Sequence, residues 1–159
     1  MPYRHGKGSV LTTAHPHPPL SPLSPPPAPL LEQARQDWQL FLQGTAGEQT
    51  VSHLSPELLA SILQVWACSR FVARSCIRHP SMLEDLFDSG DLERSYDSGH
   101  YAQQLDRALA TVTDEATLMT VLRTVRRREM VRIAWRDLAG FAVLDETLAD
   151  LSALAEACL

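Results

Sequence analysis

From Leu30 onward, apolar residues recur at intervals of three and four, the period of helices with one buried face. The first run, LLEQARQDWQLFLQG, sets Leu30, Leu31, Ala34, Trp38, Phe41 and Leu42 near one side and meets a natural stop at Gly44. Ser55-Pro56 signals a second start, with a capping hydroxyl ahead of a proline at the first helical position. That helix carries Leu58, Leu59, Ile62, Leu63 and Trp66. Ser69 caps a further piece with Phe71, Val72 and Ile77, which ends before Pro80. A short helix around Ser81 to Phe87 leads into DSGDLERSYDSG, whose turn residues read as a polar loop. Tyr101, Leu105, Ala108 and Leu109 mark another helix. A last one begins near Asp145, with Leu148, Leu151, Leu154 and Ala155 predicted inward. No run alternates apolar and polar residues for long enough to be a strand, and no repeat appears at a solenoid period.

The longest helix is predicted to start at Thr113, with Asp114 and Glu115 in its positive first turn, and nothing breaks it before Gly140. About 26 residues make it roughly 40 Å long. At about 100° per residue, Leu118, Val121, Leu122 and Val125 fall on one side, and Val131, Ala134, Trp135, Leu138 and Ala142 on nearly the opposite one. A surface helix keeps a single apolar stripe. This one changes sides across Arg126 to Arg128, as a helix sandwiched between different neighbours would. The pattern therefore predicts an all-α fold: an irregular helical bundle over residues 30–159 with one long central helix at about 113–139.

Residues 1–29 differ in kind. HPHPPLSPLSPPPAP cannot sustain a helix and has too little apolar surface to offset its ordering entropy, so a disordered Pro-rich tail is predicted. Such a tail could dock on a proline-binding module, but a dispensable extension is the favoured reading. His15 and His17 stand on it, and two histidines do not make a metal site.

Composition narrows the function. A formal net charge of -5 argues against a nucleic-acid-binding surface, which is usually strongly basic. No apolar run reaches the roughly 18 residues of a membrane helix, and prolines replace the apolar core of a signal peptide, so neither membrane insertion nor secretion is expected. Three cysteines, Cys68, Cys76 and Cys158, without CxxC spacing suit a reducing, cytoplasmic compartment. The local exception is arginine. Arg123, Arg126, Arg127, Arg128, Arg132 and Arg136 crowd the long helix, and Arg128, Arg132 and Arg136 form an i, i+4, i+8 row with Glu129 and Asp137 near enough to pair. A structural ion-pair shell, an anion site and a groove-reading helix are the three readings. The third is the weakest, because Met130, Val131, Ile133 and Trp135 stand where base-reading amides would be needed.

The string DEATLMTVLRTVRRREMVRIAWRDL, within residues 113–159, resembles the N-terminal region of the bacterial bifunctional glutamine synthetase adenylyltransferase and adenylyl-removing enzymes. Weaker similarity extends back through SRFVARSCIRHPSMLEDL, residues 69–86, so the resemblance covers about residue 54 to the end. It implies an enzyme that adds AMP to a tyrosine of glutamine synthetase and removes it by phosphorolysis, using Mg²⁺ with ATP or phosphate. That family holds its metal on carboxylates after a glycine-rich motif of the form GxGKxGGxELNxxSDxDL, which this chain lacks. DSGD at 88–91 has two carboxylates but no phosphate-cradling turn. The resemblance thus implies the helical lead-in to an adenylyl-removing domain, truncated before its catalytic sheet, with no catalytic or metal residue and no cofactor held productively. Its implied partners are glutamine synthetase and the family's own catalytic domains. Arg126, Arg127, Arg128, Met130, Arg132, Ile133 and Trp135 become the signature of a helix that braces the catalytic domain. The alternative is an autonomous helical protein–protein interaction module.

Overall fold

In the computed structural model, which describes residues 25–44, 51–97 and 99–159, every regular element is α-helical. In chain order these are α1 (Ala28–Gly44), α2 (Pro56–Cys68), α3 (Arg70–Arg78), α4 (Pro80–Asp88), α5 (His100–Leu109), α6 (Glu115–Ala139) and α7 (Leu144–Ala157). The all-α bundle with one long helix is as the pattern predicts. The expected tail lies outside the described residues up to position 24. At its inner end the boundary moves, because α1 already begins at Ala28. Pro29 sits in its first turn, where a missing N–H costs nothing and the fixed φ suits the helix.

The helix starts come from short-range chemistry. The Ser55 hydroxyl accepts from the Leu58 N–H at 3.1 Å to open α2, and Ser69 accepts from the Val72 N–H at 3.3 Å to open α3. Asp114 accepts from the Thr117 N–H at 2.9 Å, so α6 starts at Glu115 and Asp114 is its cap. Hydrogen bonds from the Thr117 side chain and backbone hold the Asp114 carboxyl below its ordinary pKa. At the other end Gly140 has φ 73°, and the Phe141 N–H returns to the Arg136 carbonyl at 2.8 Å. That is a Schellman closure, and it needs a residue tolerant of left-handed backbone.

The larger hydrophobic core joins α1 to α4 with the second half of α6. It contains Phe41, Leu58, Ile62, Val65, Trp66, Val72, Cys76, Leu83, Leu86, Phe87, Leu92, Val131 and Trp135. Trp135 is wholly buried, edge-on to Phe87, and its indole N–H donates to the Ser61 hydroxyl at 2.9 Å. Burial lifts the Cys76 thiol to about 12, which leaves it an unreactive core group. A smaller cluster gathers Tyr101, Ile133 and Leu154 from α5, α6 and α7. The second half of α6 thus runs between two cores, and the helix as a whole meets α2, α3, α4, α5 and α7.

Two details depart from the sequence pattern. On the first half of α6, Leu118, Val121, Leu122 and Val125 are only half-buried, so among the described residues just the second half is sandwiched. On α7, Leu154 points inward and Leu151 is half-buried, but Leu148 is 53% exposed and Ala155 is exposed. The helix is apolar around much of its circumference, so periodicity alone chose the wrong edge of a wide stripe. Among the described residues no helix is long and apolar enough to cross a membrane.

Candidate functional site

The structure sorts the arginines of α6 onto two faces. Arg128, Arg132 and Arg136, one turn apart, look toward the segment between α4 and α5. Arg123, Arg126 and Arg127 look away from it.

The inner row is buried at Arg132 and Arg136 and partly buried at Arg128. Arg132 and Arg136 are 0% and 1% exposed, and Glu129 beside them is 0% exposed. Arg128 uses its whole fork. Nε donates to Asp85 at 2.6 Å, one terminal nitrogen to Glu129 at 2.6 Å, and the other to Asp91 at 2.7 Å and to the Ser89 hydroxyl at 3.3 Å. Arg132 donates to the backbone carbonyls of Asp91 and Arg94, to the Tyr101 hydroxyl at 3.1 Å and to Asp150 on α7 at 3.0 Å. Its guanidinium also lies over the Tyr96 ring, 3.3 Å from the centroid. Arg136 donates to the carbonyls of Leu92 and Phe141, the Ser95 hydroxyl and Glu146 on α7, and only its Nε lacks a partner.

The acceptors explain the arrangement. The segment between α4 and α5 has no ladder of its own for its carbonyls, and a buried carbonyl without a donor is costly. Arginine brings five donors on a long stem, so three of them one turn apart can take up a non-helical strand of chain. The ions are also matched. Burial alone would raise the Asp91 carboxyl, but hydrogen bonds from Arg128 and Ser89 and the Arg128 charge hold it at about 2. The Tyr96 hydroxyl lies near this pair yet has no well-directed partner. Burial would lower the Arg128 pKa, but Asp91, Glu129 and Asp85 outweigh it and raise it. Tyr96 and Tyr101 are pushed up, chiefly by burial, and stay neutral. Glu129 also accepts from the Gln104 amide of α5 at 2.8 Å, while its second oxygen has no partner.

Chemically this cluster is closed. The guanidinium groups of the row are turned onto the protein's own acceptors, so it offers no anion site. Asp85, Asp91 and Glu129 are bound to Arg128, and no group of three or more His, Cys, Asp or Glu able to hold a metal occurs among the described residues. The residues here do not fit Mg²⁺. Of the signature set, Arg128, Arg132, Ile133 and Trp135 point into the bundle. Arg126 is exposed and Arg127 half-buried on the other face, and Met130 stands between the two, packed against the Tyr101, Ile133 and Leu154 cluster and bordering the outer face. There Arg123, Arg126, Arg127 and Met130, with Phe71 of α3, line an open groove of about 260 Å³. Asp137, expected to pair with an arginine, instead accepts from the Thr147 hydroxyl at 3.1 Å, because it lies off the row. Asp91, Tyr96, Asp150 and Gln104 were not foreseen as members of the cluster. They stand 18 to 41 positions from their α6 partners, and no spacing rule links them. The one available signal was the i, i+4, i+8 arginine row itself, which demands acceptors from somewhere.

Comparison with known proteins supplies the family. The family model described as glutamate-ammonia ligase adenylyltransferase matches residues 59–159. A bifunctional glutamine synthetase adenylyltransferase/adenylyl-removing enzyme from Nitrosococcus oceani is 45% identical over 133 residues, 84% of this chain and 14% of that protein. The protein of the same name from Thioalkalivibrio sulfidiphilus is 48% identical over 99 residues, 62% of this chain and 10% of that protein. The one from Shewanella loihica is 37% identical over 126 residues, 79% of this chain and 13% of that protein. The chain therefore spans a small fraction of the length of these relatives. No solved structure matches it.

Proposed function

The chain belongs to the glutamate-ammonia ligase adenylyltransferase family, and on that premise we propose that it acts as a helical framework segment for an enzyme that adds AMP to a tyrosine of glutamine synthetase and removes it by phosphorolysis. In this reading the 159 residues hold geometry and leave chemistry to catalytic domains of the family. Glutamine synthetase is the substrate protein, ATP or phosphate with Mg²⁺ serves the catalytic domains, and the compartment is the cytoplasm.

One observation carries the division of labour. The arginine row, the strongest candidate for gripping a nucleotide, directs its guanidinium groups at Asp85, Asp91, Glu129, Glu146 and Asp150 and at backbone carbonyls of the same chain. Phosphoryl and nucleotidyl transfer need acidic residues that keep Mg²⁺ on the reacting phosphate. Carboxylates already neutralised by buried guanidinium groups are poor candidates for that work.

The test is release of labelled adenylyl groups from modified glutamine synthetase in the presence of phosphate and Mg²⁺. The 159-residue chain should give none. A family-length polypeptide carrying the same helices should give turnover, and Arg132→Met in that polypeptide should lower its folded fraction together with its activity. Turnover by the 159-residue chain alone would contradict the proposal and turn attention to Asp88 and Asp91.

A further inference from the structure

The groove on the outer face of α6 has a different character from the inner row. Phe71 is 48% exposed, Arg123 and Arg126 are exposed, and Arg127 and Met130 are half-buried around it. None of the three arginines makes an ion pair among the described residues. The pairs that do form use Arg35, His53, Arg94, Arg128, Arg132 and Arg136. No carboxylate lines the groove. On a chain with net charge -5, three unpaired guanidinium groups around an apolar floor form a local concentration of positive charge.

We propose that this groove is a docking site for an acidic polypeptide segment that inserts one large apolar side chain between Phe71 and Met130 and sets its carboxylates against Arg123, Arg126 and Arg127. Three properties select this occupant. A volume of about 260 Å³ is below the usual range for small-molecule pockets but accommodates one large side chain. The floor is a phenylalanine and a methionine, a surface that takes apolar anchors of varied shape. The rim is arginine, which is enriched among the residues that dominate protein interfaces and binds carboxylates with both arms of its fork.

A phosphate ligand fits less well. Phosphate cradles gather several free backbone N–H groups at a helix N-terminus or a nest. The α6 residues of the groove lie two or more turns past the start of that helix, and in the first turn of α3, where Phe71 stands, the Val72 N–H is already donated to the Ser69 hydroxyl. Nucleic acid fits less well again, because it requires an extended basic track rather than one groove on an acidic chain. The proposal does not depend on the catalytic reading above, since it rests on a face that the inner arginine row does not share.

The experiment is a fluorescence-anisotropy titration of the full 159-residue chain against a labelled synthetic peptide with a single phenylalanine between two pairs of glutamates. The controls are the same peptide with glutamines for glutamates, and inorganic tripolyphosphate. Saturable binding of the acidic peptide is expected, weakened about tenfold or more by Arg126→Glu and by Phe71→Ala, and weakened further as salt rises. Both positions are substantially exposed, and an unchanged thermal midpoint for each variant shows that the fold is intact. Absence of saturation up to about 1 mM peptide, equal binding of the glutamine peptide, or displacement by tripolyphosphate at a lower concentration than unlabelled acidic peptide requires would each overturn the proposal.

Discussion

Asp91 shows how much one side chain can decide. It sits in a turn that the sequence marks only as polar, yet it is 6% exposed and receives Arg128 and Arg94 on its carboxylate and Arg132 on its backbone carbonyl. Its carboxyl is held at about 2, below the ordinary 3.8. A carboxylate with a depressed folded-state pKa stabilises fully above its unfolded value, so this contribution is complete above about pH 4 and is lost as pH falls toward 2. The difference corresponds to roughly 2 kcal/mol. Urea denaturation across this range should show the wild type losing stability between about pH 4 and pH 2, and Asp91→Asn starting lower at neutral pH with a flatter profile. An unchanged profile in the variant would assign the acid sensitivity to another group. The apolar core around Trp135 was legible in the sequence, because helical period marks an inward face without knowledge of the neighbours. Asp91 was not, because a polar residue in a turn reads the same whether solvent or an arginine faces it.

At the scale of elements, the ends were easier to read than the faces. Ser55, Ser69 and Gly140 act through backbone groups within a few residues, and all three perform as their chemistry dictates. Faces depend on what comes alongside. The first half of α6 has the same apolar spacing as a buried helix, yet its leucines and valines are half-covered. The stripe on α7 is wide enough that Leu148 can turn outward while Leu154 turns in. Gly140 offers a clean test of α6 as a discrete element. A Cβ there would meet nothing within 4 Å, so Gly140→Ala carries only the cost of left-handed backbone. That cost is about 1 kcal/mol. The thermal midpoint should fall by a few degrees. A midpoint unchanged or raised would mean that the α6–α7 corner adjusts to a right-handed turn.

For the molecule as a whole, the two cores do not touch every segment, and the chain from Ser89 to Tyr96 is held by polar contacts as much as by apolar ones. Arg128 ties it to α4, Arg132 and Arg136 tie it to α7, and Glu129 reaches Gln104 on α5. The arginine row thus adds polar ties between α6 and helices that α6 also meets in the two cores, and it anchors the non-helical segment between α4 and α5 to them. A buried ion pair adds little when compared with a well-packed apolar replacement of both partners. Removal of one partner alone strands the other charge and costs about 3–5 kcal/mol. An exposed charge far from such features changes stability by about 0.5 kcal/mol or less. The most direct test is therefore the unfolding free energy of Arg132→Met beside that of Arg126→Met, measured by urea denaturation at neutral pH. A buried brace predicts a loss of about 3 kcal/mol or more for Arg132→Met and almost none for Arg126→Met; equal, small effects at both positions would contradict it.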